Sequence, residues 1–194
     1  MVPRRILTGN IGDDTISIID LNNLDNCKKI FLSKNRHKRL GPWDLVMKNN
    51  KDLYILNSFD ESLMTLNLES FKTTYLKKLG RSPICIRRYN SMIYILNCDS
   101  NSLSILNEDD LMVLEEIPLN EKPSDIQIDE FTSQAYIVST NGCSISRLNL
   151  KDNSLNTFHI EAQPFKLYFE DSKLYVLSYV NNGLTNYSSI SIYD

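Results

Sequence analysis

The segment "LYILNSFDESLMTLNLES" (53–70) alternates apolar and polar positions in two runs, with a polar break between them. Alternation with period two marks a strand that turns one face to a core. The same pattern returns as "IYILNCDSNSLSILNEDD" (93–110). Four prolines, Pro42, Pro83, Pro123 and Pro164, recur at spacings of 41, 40 and 41 residues. Each opens a short apolar run: "PWDLVM", "PICI", "PSDIQI" and "PFKLYF". A polar cluster follows, then a second strand with an aromatic at a fixed place: Tyr54, Tyr94, Tyr136 and Tyr175. A third strand ("SLMTLNL", "SLSILN", "CSISRLNL") and a more polar fourth ("TTYLKKL", "VLEEIPL", "LNTFHI") complete the unit.

Four short strands in about 40 residues are the signature of a propeller blade. One blade cannot bury both of its faces, so copies stack and must present similar surfaces to one another. The stretches "LESFKTTYLKKL" and "NEDDLMVLEEI" also fit an amphipathic helix. Thr, Ile, Ser and Phe at equivalent places in the other repeats decide for strand. At the start, "RILTGNIGDDTISIIDL" (5–21) aligns with second and third strands, so Ile16 matches Leu63 and Leu103. The last repeat stops after its third strand and carries an insertion. The expected fold is all-β: a β-propeller of about five four-stranded antiparallel blades, 18 strands in all, with the first and last blades incomplete. A single domain, 1–194, is expected, with blade units at about 4–34, 42–79, 83–119, 123–160 and 164–194.

"YILN" (54–57), "YILN" (94–97), "YIVS" (136–139), "YVLS" (175–178) and "TGNIGDDTISIIDLNN" (8–23) resemble the repeat of the YVTN β-propeller family, which includes YncE-like proteins. The resemblance spans nearly the whole chain. It implies a propeller whose relatives serve as binding surfaces or as cofactor-bearing enzymes. Propellers of that family usually have seven blades, against five units here. A five-bladed ring, an arc completed by a second chain, and part of a longer protein are the three closures. The ring is expected, because an arc leaves two blade faces bare. The third motif position, usually Thr, is Leu56, Leu96, Val138, Leu177 and, in the first unit, Gly9.

Composition adds little. With 42% apolar and 23% charged residues, the chain suits one globular domain. No run reaches the ~18 apolar residues of a membrane span, and the first residues lack a signal-peptide core. A cytoplasmic protein with no membrane partner is expected. Cys27, Cys85, Cys98 and Cys143 form no C-x-x-C pair and read as free thiols used as small apolar residues. His37 and His159 stand far apart, so no metal site or cofactor is expected.

Charge changes the picture more. Residues 1–97 hold 16 Lys+Arg against 9 Asp+Glu, a net of +7, while residues 98–194 hold 5 against 15, a net of −10. Such asymmetry suits an anionic partner or self-association of basic and acidic halves. The loop "KNRHKRLGP" (34–42) concentrates Lys34, Arg36, His37, Lys38 and Arg39, a pattern for anion or nucleic-acid contact as well as for a solvated loop. Asp44, Cys85, Asp125 and Lys166 lie two residues past the repeat prolines and are expected near a channel mouth. Trp43 is expected in the core. In the insertion "YVNNGLTNYSS" (179–189), Tyr179, Asn181, Asn182 and Tyr187 are candidate partner contacts, since repetition does not require them.

The function expected from these readings is a non-catalytic binding or scaffold module for a protein or a small polar ligand. The contact surface would be the face of loop 34–41, the turns 57–61 and 97–101, and the insertion. The alternatives are anion or nucleic-acid binding through 34–39, and an enzyme using Asp44 and Asp125.

Overall fold

The computed structural model describes residues 4–33, 39–181, 183 and 186–193. Among them every regular element is a strand, and the 18 strands form five antiparallel sheets. The first blade holds β1 (Arg5–Asn10), β2 (Thr15–Asp20) and β3 (Asn23–Phe31). The second holds β4 (Pro42–Met47), β5 (Asp52–Asn57), β6 (Ser62–Asn67) and β7 (Thr73–Lys78). The third holds β8 (Pro83–Tyr89), β9 (Met92–Asn97), β10 (Ser102–Asn107) and β11 (Val113–Pro118). The fourth holds β12 (Pro123–Asp129), β13 (Gln134–Ser139), β14 (Ser144–Asn149) and β15 (Leu155–His159). The fifth holds β16 (Gln163–Glu170), β17 (Lys173–Asn181) and β18 (Asn186–Tyr193). Strand order in each sheet follows chain order. The two segments that also fitted helices lie on strands β7 and β11.

Register shows why the sequence repeats. Leu56 pairs with Leu63, Leu96 with Leu103, Val138 with Ile145, and Gly9 with Ile16. Directly paired residues share a sheet face. This face, which also carries the residue two places earlier (Leu7, Tyr54, Tyr94, Tyr136 or Tyr175), is termed the leading face; in blades one and four it packs on the blade that follows. The opposite face is the trailing face.

Two compact units are defined by contacts, Met1–Ile86 and Arg87–Asp194. In the first unit, the leading face of blade one (Ile16, Ile18, Ile30) packs on the trailing face of blade two (Leu53, Ile55, Met64, Leu66). A Cβ at Gly9 would stand 2.8 Å from the Pro42 carbonyl oxygen, so β1 meets β4 where the other blades carry an apolar side chain. In the second unit, Val138 and Ile145 of blade four pack on Leu167, Leu174 and Val176 of blade five. Tyr136 stacks on Phe169 at 5.9 Å between centroids and 18° between planes. Each fully buried Leu or Ile in these faces contributes roughly 1.5–3 kcal/mol relative to exposure.

The turns carry their own chemistry. Asp14, Glu61, Asn101 and Cys143 hold positive φ of 57°, 51°, 50° and 42° just before the third strands. In blades three and five the hairpin between first and second strands uses paired positive-φ residues, Asn90–Ser91 and Asp171–Ser172, whose backbone twist matches that of the strands they join. The amide of the repeat motif pins the next hairpin. Asn10 donates to Thr15 and Ser17, Asn57 to Ser62, and Asn97 to Ser102 and Ser104.

Two expectations need correction. Trp43 is 55% exposed rather than core. The ladder shifts between Pro42 and Asp44, as it does at Pro123/Asp125 and Pro164/Lys166, so the residue after each of these prolines is a bulge residue. A bulge turns Trp43 and Phe165 outward. Of the four thiols, which are free, only Cys85 is buried, and Cys27 is exposed. No described helix is long and apolar enough to cross a membrane.

Leu103 is fully buried on a leading face. Leu103→Ala is expected to cost about 2–5 kcal/mol in urea denaturation, since it deletes buried methyl groups and leaves a cavity.

Candidate functional site

The four residues two past the repeat prolines occupy equivalent places. Asp44, Asp125 and Lys166 pair with Leu56, Val138 and Leu177. The two carboxylates do the same work. Asp44 accepts the Ile86 backbone N–H at 2.9 Å, and its other oxygen accepts its neighbour Leu45 N–H. Asp125 accepts the Leu167 N–H at 2.9 Å. Each bond spans 42 residues and ties one inner strand to the next at the third residue past that strand's proline. Asp125 is fully buried and also meets Lys166 at 3.1 Å and Arg87 at 3.4 Å. Cys85 takes the equivalent place in blade three, buried and without a carboxylate. Each described carboxylate thus already serves the fold as an acceptor of the next inner strand's N–H.

In the first unit, the loop entering blade two lies on the turns between second and third strands. Arg39 donates to the Ile11 carbonyl at 2.7 Å, stands 3.3 Å from Asp14, and lies over the Phe59 ring. Gly41 N–H donates to Asp14, and the N–H groups of Ser58, Phe59 and Asp60 donate to the carbonyls of Leu40 and Gly41. Lys34, Arg36, His37 and Lys38 lie outside the described residues. The one described cation of that loop therefore braces the structure. In the second unit the loop entering blade four repeats the scheme: Lys122 pairs with Asp99 at 2.5 Å, and Asn120 donates to Ser144. Cys98 sits in the turn 97–101, where burial pushes its thiol above the ordinary range. A raised thiol is poorly ionised at neutral pH and is a weak nucleophile.

Both flanks of the insertion, 179–181 and 186–189, are strand. They extend the hairpin, with Tyr179 paired to Ser188, Val180 to Tyr187 and Asn181 to Asn186. Tyr179 and Tyr187 are both half-exposed and point to opposite faces of the fifth blade. Asn182 lies outside the described residues, as does the side chain of Asn181.

Sequence reading missed what the fifth blade leaves open. Ile190 occupies the place held by Ile16, Leu63, Leu103 and Ile145, all buried, yet it is 67% exposed. Ile192 beside it is 58% exposed, and Tyr168 is exposed as well. Phe158 occupies the place of Ile30 and Ile117, both buried, yet it is 53% exposed. Among the described residues no fourth strand continues the fifth sheet beyond β18. Beside that edge a cleft of about 400 Å³ opens between blades four and five, lined by Tyr136, Ile145, Arg147, Phe158, Leu174 and Tyr193 among others. The signal for the cleft was present as a missing fourth strand in the last repeat, and its consequence for Phe158 needs the register; no sequence signal marks the exposure of Ile190.

Repeated four-stranded sheets, bulged inner strands and inter-blade carboxylate bonds define a β-propeller protein. Comparison with solved structures gives the same class. Virginiamycin B lyase from Staphylococcus aureus, solved with quinupristin, superposes with a TM-score of 0.75 at 12% identity over 97% of this chain and 67% of that one. A chain of the nidogen/laminin complex gives 0.63 at 14% identity, covering 92% and 75%. Hydrazine synthase of Kuenenia stuttgartiensis gives 0.67 at 17% identity, covering 81% of this chain and 48% of that chain. The chain thus spans about half to three quarters of the length of these proteins. No family model matches the sequence, and no curated protein matches it.

Asp125→Ala is expected to destabilise the protein by about 3–5 kcal/mol, because it leaves a buried N–H and two cations without their partner. Lys166→Ala, which removes a half-exposed partner, is expected to cost less than about 1 kcal/mol. Equal losses for the two variants in denaturant titration would remove Asp125 from its bracing role.

Proposed function

We propose that the chain is a non-catalytic propeller of YVTN type that binds protein through its fifth blade. One observation carries the reading: Phe158 stands open over an apolar cleft at a place where Ile30 and Ile117 are buried. The edge of β18 beside it offers a row of backbone donors and acceptors. An extended segment added to such an edge gains main-chain bonds, and its alternate side chains enter the cleft. The aromatic and aliphatic lining suits an apolar anchor, and Arg147 at the cleft suits an acidic neighbour on the segment. Asp125 and Arg39 are engaged within the fold, so neither of these two residues adds support to the enzyme or the anion-binding reading. The nidogen/laminin structure is a precedent for protein binding in the same fold class.

Selection from a displayed library of short peptides tests this reading. Enrichment is expected for segments that alternate apolar and polar positions and carry an acidic residue. Phe158→Asp is expected to weaken the selected peptides at least about tenfold in fluorescence anisotropy. Failure to enrich any such segment, or equal binding by Phe158→Asp, contradicts the reading.

A further inference from the structure

We infer that Asn141 is a deamidation site gated by the loop that enters blade four. Asn141 and Gly142 form an Asn-Gly pair in the turn between β13 and β14, and Asn141 is exposed there. A glycine after asparagine carries no Cβ to hinder its backbone nitrogen, which suits an intramolecular attack. The nitrogen of Gly142 attacks the side-chain carbonyl carbon Cγ of Asn141. A C–N bond forms, and the Asn141 amide nitrogen leaves as ammonia with the proton that Gly142 gives up. A five-membered imide results. Water then opens the ring at either carbonyl and leaves aspartate or isoaspartate at 141. In isoaspartate the main chain runs through the side-chain carbons. No oxidant or reductant takes part.

The fold withholds the nucleophile. The Gly142 N–H donates to the Glu121 carbonyl at 3.0 Å, and the Thr140 N–H donates to the Lys122 carbonyl at 2.8 Å. An N–H held by an acceptor must leave it before its nitrogen can turn onto a neighbouring side chain. The accepting loop is itself anchored. Leu119 N–H donates to the Asn101 carbonyl, Lys122 N–H to Asn101 Oδ1, and Asn120 Nδ2 to Ser144 Oγ, each at 2.9 Å. All of these residues belong to the second unit. A Cβ at position 142 would stand 2.6 Å from the Asn120 Cβ and 3.1 Å from the Glu121 nitrogen, so the close approach of loop and turn requires glycine. The glycine that lets the loop dock is therefore the one that makes Asn141 labile. Conversion opposes redocking. Isoaspartate adds a methylene to the main chain between the bonded N–H groups of Thr140 and Gly142, and either product adds a negative charge to a turn that lies on Glu121.

Peptide mapping by mass spectrometry tests the inference, with the full chain incubated in native buffer and in urea at one pH. Conversion at Asn141 is expected in both. In native buffer it is expected to be at least about tenfold slower, because it waits on local opening of the turn. Asn120→Ala removes the bond to Ser144 and keeps the Cβ that borders Gly142. It is expected to speed native conversion at least about threefold and to leave the rate in urea unchanged. Should this variant lose its strand signature in circular dichroism, the wild-type comparison decides alone. Equal wild-type rates in native buffer and in urea overturn the inference. So does a lack of conversion at Asn141 in urea, or a folded Asn120→Ala chain that converts at the wild-type native rate. The peptide experiment on Phe158→Asp stands or falls by itself.

Discussion

A blade of this protein is a single sheet with two faces, and an apolar face is hidden only when a neighbouring blade lies on it. Everything else in the architecture answers that constraint. The leading faces carry large buried side chains, such as Tyr54, Leu56, Leu63, Leu96 and Leu103, and within each unit one such face is seen covered: Ile16 and Ile18 by blade two, Val138 and Ile145 by blade five. The near-constant spacing of the repeat is the sequence's record of that requirement. A one-residue slip in any ladder would carry its apolar set to the wrong face.

Packing alone does not fix how far one blade is turned on the next. The carboxylate bonds supply that register. Asp44 and Asp125 hold the following inner strand by its backbone, at the same residue past the proline each time. Backbone acceptance makes the brace indifferent to side-chain identity in the following strand, which suits a repeat whose copies diverge. The turn loops add a second level, with Arg39 and Lys122 closing polar contacts between neighbouring blades in their own units. Arg39, Lys122 and Asp125 thus each take part in the bracing of their own unit.

Much of the fold was legible because strand period, proline spacing and turn residues all agree. The strand count, the incomplete first and last blades and the equivalence of Ile16, Leu63 and Leu103 could be read directly. Other features were not legible for physical reasons. Trp43 looks like a core residue until a bulge rotates it outward, and a bulge has no composition of its own. Asp44 and Asp125 look like ligands for a channel because sequence shows a carboxylate but not the N–H it already accepts. The insertion reads as a loop, yet its residues continue a ladder. Phe158 reads as an ordinary fourth-strand apolar residue. Among the described residues the fifth sheet has no fourth strand, and Phe158 stands exposed beside the cleft.

Equivalent residues stand in opposite environments: Leu63 and Leu103 are hidden, Ile190 and Ile192 open. Hydroxyl-radical footprinting of the dilute protein tests this most directly, because labelling of a side chain reports its contact with water. The account predicts strong modification at Ile190, Ile192 and Tyr168, and near-complete protection at Leu63, Leu103 and Tyr54. Protection of Ile190 equal to that of Leu103 in a sample at monomer mass would contradict it.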